Sequence, residues 1–187
     1  MSRSLIALLL TVTLVAACDR QSLPPEQAAP AQPVAKAVVS SGGAIDRTHR
    51  GEAAPATPFT APDGSRVTLA DFRGTPVLLN LWATWCAPCV AEMPQLDALA
   101  AQMTGKLTVL TISQDLEGAA KVTPFFAKGG FTAIKPYLDD QAALSIGYQA
   151  NLPTTILYDS TGHEVWRYSG GQDWSGPAAA AMIAEAK

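Results

Sequence analysis

Residues 75–83 (Thr-Pro-Val-Leu-Leu-Asn-Leu-Trp-Ala) form an almost unbroken apolar run, and two residues later the chain reads Cys86-Ala87-Pro88-Cys89. An apolar run of this length has the signature of a fully buried strand. Beyond it, Val90, Met93, Leu96 and Leu99 recur three apart, which predicts an amphipathic helix over 88–102. A strand that stops where a helix starts, with two cysteines at the junction, admits few folds. It demands a sheet with the helix packed back onto it and two thiols within one helical turn. Pro88 fits the first turn, where its missing N–H needs no partner. The orphan N–H groups of that turn face Cys86, so its thiol pKa is expected to fall and the nucleophilic thiolate to accumulate. The spacing therefore predicts a redox-active pair. A purely structural disulfide would close too small a loop to stabilise much. Zinc would need four ligands, and the only other candidates are Cys18, His49 and His163.

The rest of the chain alternates strand and helix signals. Residues 59–69 carry the turn dipeptide Asp63-Gly64 between two short extended pieces, which predicts a hairpin. Strands are expected at 106–113, 154–158 and 164–168, the last two joined by a glycine-containing turn. Helices are expected at 118–128, 141–148 and 175–186, with Ser175 as the N-cap of the last. The order β-α-β-α-β-β-α predicts an α/β fold: a central mixed sheet, helices on both faces and an N-terminal β-hairpin extension. Trp82 is assigned to the core, Trp85 to the surface beside Cys86, and His163 to an exposed turn. Pro94, inside the first helix, is expected to kink it. Glu92 shares the helix face of Cys89.

The first 55 residues are different. A single early Arg3 and thirteen uncharged residues precede Cys18, the pattern of a signal peptide over 1–17 and too short to span as a stop-transfer helix. Leu14-Val15-Ala16-Ala17-Cys18 resembles the bacterial lipoprotein signal, which implies that Cys18 becomes the acylated first residue; Asp19 then implies retention at the inner membrane. Residues 18–55, rich in proline and alanine and without aromatics, are expected to be a flexible tether spanning roughly 30–35 Å. The redox domain is then assigned to 56–187. With a formal net charge of −3, nucleic acid is not an expected partner.

The segment Asn80-Leu-Trp-Ala-Thr-Trp-Cys-Ala-Pro-Cys-Val-Ala-Glu-Met-Pro94 resembles the active-site stretch of the TlpA/ResA group of membrane-anchored thiol–disulfide oxidoreductases. Leu152-Pro153-Thr154-Thr155 matches that group's cis-proline loop, and Gly170-Gly171-Gln172-Asp173-Trp174 resembles its TlpA branch. The resemblance implies a thioredoxin-like fold with Cys86 attacking, Cys89 resolving and Glu92 assisting. It also implies a client-binding surface of Trp85, Ala87, Pro88, Leu152, Pro153 and Thr154. No cofactor and no metal are expected. The implied partners are protein disulfides (a copper chaperone, an oxidase subunit or apocytochrome c) and a membrane electron donor of the DsbD/CcdA type. The protein is expected to be a monomer, lipid-anchored at the periplasmic face of the inner membrane. An oxidase or isomerase of the same fold remains an alternative, as does a Sco-like copper chaperone, although that group uses Cys-x-x-x-Cys with a distal histidine. Asn80 stands where thioredoxin has a buried aspartate, Asn151 where many relatives have glycine, and Thr154 where the CcmG/DsbE branch has glutamate.

Overall fold

In a computed structural model, which describes residues 43–186, the strand Val77–Trp82 is buried at all six positions. The reason is its place in the sheet. It pairs in parallel with Thr108–Ser113 on one side and antiparallel with Thr154–Tyr158 on the other. Numbering in chain order, the strands are β1 Ile45–Asp46, β2 Phe59–Thr60, β3 Arg66–Val67, β4 Val77–Trp82, β5 Thr108–Ser113, β6 Tyr137–Leu138, β7 Thr154–Tyr158 and β8 Glu164–Ser169. The helices are α1 Ala87–Gln102, α2 Ala119–Gly129, α3 Ala143–Tyr148 and α4 Pro177–Ile183. The strands form one mixed sheet in the order β1-β8-β7-β4-β5-β6-β2-β3. The parallel β4–β5 pair needs a crossover, and α1 supplies it.

Side-chain alternation along β4 divides the core between two faces. Leu78 and Trp82 pack with Met93 and Leu96 of α1, Val122 of α2, and Ala179, Met182 and Ile183 of α4. Val77, Leu79 and Leu81 point the other way, into a cluster with Phe59, Leu69, Leu110, Ile156 and Leu144 of α3. The buried stripe of α1 is Cys89, Glu92, Met93 and Leu96, the i, i+3, i+4, i+7 pattern of a core-facing helix. A carboxylate thus lies inside an otherwise apolar stripe. None of the described helices is long and apolar enough to cross a membrane.

Three details differ from expectation. The fold begins before residue 56. Ile45 pairs with Tyr168 and Asp46 with Arg167. Further along, the Gly51 N–H donates to Glu164 O (2.8 Å), the Glu164 N–H to Glu52 O (2.8 Å) and the Ala54 N–H to Gly162 O (2.9 Å). Arg47 and Arg50 both pair with Glu185 beyond α4. The segment 43–55 thereby covers the outer edge of β8, which would otherwise show unpaired backbone groups. Gly43 is required there, because a Cβ would stand 2.4 Å from Ser169 O. Backbone pairing of this kind leaves no hydrophobic period to read. For the same reason the two-residue β6 is invisible in the sequence, yet it joins the β2–β3 hairpin to β5. Finally, α4 is capped by Gly176 rather than Ser175. The Ser175 N–H and hydroxyl are both engaged by the Asp173 carboxylate, at 3.0 and 2.5 Å. The expected signal peptide, Cys18 and most of the expected tether lie outside the described residues.

Candidate active site

The end of β4 turns sharply into α1. The Cys86 N–H donates to Ala83 O (3.1 Å), and Cys86 is the N-cap of the helix, with Ala87 and Pro88 exposed in its first turn. The turn is tied to the end of β5 by Asp115, which is buried. Its carboxylate accepts from the Thr84 N–H (2.9 Å), the Thr84 hydroxyl (2.6 Å) and the Ser113 hydroxyl (2.7 Å). Trp82 is fully buried, whereas Trp85, next to Cys86 in the chain, is 70% exposed; Leu116, just after Asp115, is exposed to the same extent.

Cys86 and Cys89 are joined by a disulfide with a Cα–Cα distance of 5.3 Å. The two sulfurs are not equivalent in their surroundings. Cys86 is 6% exposed at the helix mouth, and Cys89 is 0% exposed within the first turn. Once the bond is opened, a thiolate at Cys86 faces the free N–H groups and the positive end of α1. A thiolate at Cys89 would sit in apolar surroundings that disfavour charge. Attack from the outer sulfur and assistance for the inner one are what this arrangement can support.

One turn beyond Cys89, Glu92 is 3% exposed. Its Oε1 accepts from Asn80 Nδ2 (2.8 Å). Its Oε2 accepts from Trp174 Nε1 (3.1 Å) and the Gln172 N–H (3.3 Å). Burial pushes the Glu92 carboxyl above its ordinary range, and the three donors work against that rise without cancelling it. Asn80 faces Thr155 across the β4–β7 ladder and also donates to its hydroxyl (3.0 Å). The Asn80 Oδ1 finds no hydrogen-bond partner among the described residues.

The Leu152–Pro153 peptide bond is cis. Pro153 O accepts from the Gly170 N–H (2.8 Å), which fastens this loop to the end of β8. Leu152 is half-buried, and Pro153 and Thr154 are buried. The Thr154 hydroxyl donates to Asn151 O (2.6 Å), so that side chain is committed to its own loop. β7 begins at Thr154, whose partner is Leu81 near the end of β4, so this loop and the cysteine turn share one end of the sheet. His163 stands at the other end of β7, in the turn to β8, bonded to Thr161 (2.8 Å). It is not brought to the cysteines. No sequence signal assigns a role to Asp115, Gln172 or Trp174. Gln172 and Trp174 reach Glu92 from 80 and 82 positions away, and no local pattern reports that.

A family model, Redoxin, matches residues 49–183. The chain is 33% identical over 114 residues to the thioredoxin-like protein YneN of Bacillus subtilis, a match spanning 60% of this chain and 66% of that protein. It is 31% identical over 123 residues to the thiol-disulfide oxidoreductase ResA of Bacillus thuringiensis, spanning 65% of this chain and 70% of ResA. The fold is similar to that of the exposed lipoprotein thioredoxin Etrx1 of Streptococcus pneumoniae, with a TM-score of 0.60 at 23% identity over 69% of this chain and 98% of that one. With the cysteine pair at the start of α1 and the cis-proline loop at the same end of the sheet, the chain belongs to the redoxin family, as a thiol–disulfide oxidoreductase of the ResA kind.

Proposed function

We propose that this protein is a lipid-anchored reductase of client disulfides on the outer side of the cytoplasmic membrane. The observation that carries the reading is the asymmetry of the pair: an outer sulfur at the helix mouth and a fully buried inner one. The Cys86 thiolate attacks a client disulfide, forming a mixed disulfide and releasing one client thiolate. Cys89 then attacks Cys86 Sγ, restoring the Cys86–Cys89 bond and releasing the second client thiolate. Two electrons pass from the dithiol to the client, and a membrane dithiol donor of the DsbD/CcdA type returns them. Glu92 takes the Cys89 proton in the second step; its burial and its place one turn along the same buried face of α1 support that role.

The client docks against Trp85, Ala87, Pro88 and the adjoining Leu152–Pro153–Thr154 loop, and pairs with the Leu152 backbone as an added strand. Proteins of copper-site maturation in cytochrome oxidase are the proposed clients, with apocytochrome c second; the resemblance of 170–174 to the TlpA branch supports that order. Cys18, by its lipoprotein-like surroundings, is the proposed acylation site. The test is trapping. Cys89→Ser accumulates high-mass adducts on non-reducing gels and Cys86→Ser does not. Adducts in equal yield from both variants would refute the assignment of roles.

A further inference from the structure

We propose that the 170–174 loop belongs to the resolving apparatus, with Trp174 a positioning residue that, together with the Gln172 N–H, presents the Glu92 carboxylate to the Cys89 proton. The inference rests on the reading of Glu92 as the proton acceptor and goes beyond it to what holds that group. Helix α1 grips the loop at two places one turn apart. Glu92 Oε2 takes the Trp174 indole N–H (3.1 Å) and the Gln172 N–H (3.3 Å). Gln95 Oε1 takes the Trp174 backbone N–H (2.8 Å). Trp174 is 3% exposed, so its ring packs as any core aromatic does. Its indole N–H, which a phenylalanine would lack along with part of the ring, is spent on Glu92.

The groups hydrogen-bonded to Glu92 among the described residues are Asn80 from β4, with Thr155 of β7 behind it, and Gln172 and Trp174 from the loop. Cys89 lies one turn back on α1. All of these partners are uncharged side chains or backbone, and no ion pair to Glu92 occurs among the described residues. Neutral donors are therefore what balances the burial of this carboxylate. Each favours the ionised form, which must be present before Cys89 can hand over its proton. Removing the indole donor leaves the carboxylate in place but makes it hold a proton to higher pH.

The test uses the small disulfide 5,5′-dithiobis(2-nitrobenzoate) and the reduced full chain in stopped flow. The first thionitrobenzoate is released when Cys86 attacks. The second is released when Cys89 gives its proton to Glu92, its sulfur bonds to Cys86, and the probe's remaining half leaves as thiolate. In Trp174→Phe the midpoint of the pH profile for the second release moves up by about one pH unit, the size expected for a lost hydrogen bond to a charged acceptor. Gln95→Leu, at a half-buried position, moves it in the same direction by less. Glu92→Gln carries the profile up toward that of an unassisted thiol. If Glu92→Gln moves the profile and both loop variants keep the wild-type midpoint, the loop is only structural and the inference falls. If Glu92→Gln itself leaves the profile unmoved, the proton-acceptor reading falls instead.

Discussion

Glu92→Gln also has a thermodynamic signature that needs no client. Burial holds the folded-state pKa of Glu92 above its ordinary value of 4.5. Between 4.5 and the folded value, the native protein binds more protons at this site than the unfolded chain does. The contribution of Glu92 to wild-type stability therefore falls as pH rises through that window, by about 1.4 kcal/mol for each pH unit of its width, and the loss is complete above it. The amide of the variant has no such proton to bind or lose. It can keep its oxygen toward Trp174 and Gln172 and turn its NH2 group toward Asn80. A flip of the Asn80 amide would then let Oδ1, which finds no partner among the described residues, accept it. The constant offset from repacking hydrogen bonds is thus small, about 1 kcal/mol. The stability difference, variant minus wild type, should climb with pH and level off, and the height of the plateau measures the width of the window. Urea titrations of the oxidised protein from about pH 4 to about pH 8 read this directly. A difference that stays flat across that range would show that Glu92 titrates as an ordinary solvated carboxylate and would refute the argument.

Asp115→Ala leaves the Thr84 N–H and two hydroxyls without their shared acceptor and is expected to lower stability by about 1–3 kcal/mol, read by urea titration; an unchanged midpoint would mean the tie between the cysteine turn and β5 is not needed. A chain beginning at Ala56 loses β1 and the backbone bonds of residues 51–54 to β8 and the turn before it, and should be about 2–4 kcal/mol less stable than one beginning at Gly43. Equal stability of the two would return residues 43–55 to the tether. Cys18→Ser should move the protein from the membrane to the soluble fraction or leave an uncleaved precursor, and mature-sized variant remaining in membranes would count against acylation.

What the sequence reveals about this protein is what residues can show to near neighbours. The apolar run at 75–83, the three-apart spacing in α1 and the Cys-x-x-Cys at their junction all lie within about thirty positions. Strand and helix periodicity, a turn proline and two thiols one turn apart are local properties, so the fold class and the redox pair are legible there. The tertiary structure decided the rest. Residues 43–55 carry no apolar pattern because they join the sheet through backbone groups that every residue possesses. The two residues of β6 are too few to show a period. Glu92 reads in sequence as a charge on the helix face of Cys89, given a role in resolution only by resemblance. It becomes a proton-holding group only because the folded chain buries it, and the donors that temper that burial, Asn80, Gln172 and Trp174, come from 12, 80 and 82 positions away. Desolvation is set by what covers a group, and which segments cover it is known only once the chain has folded.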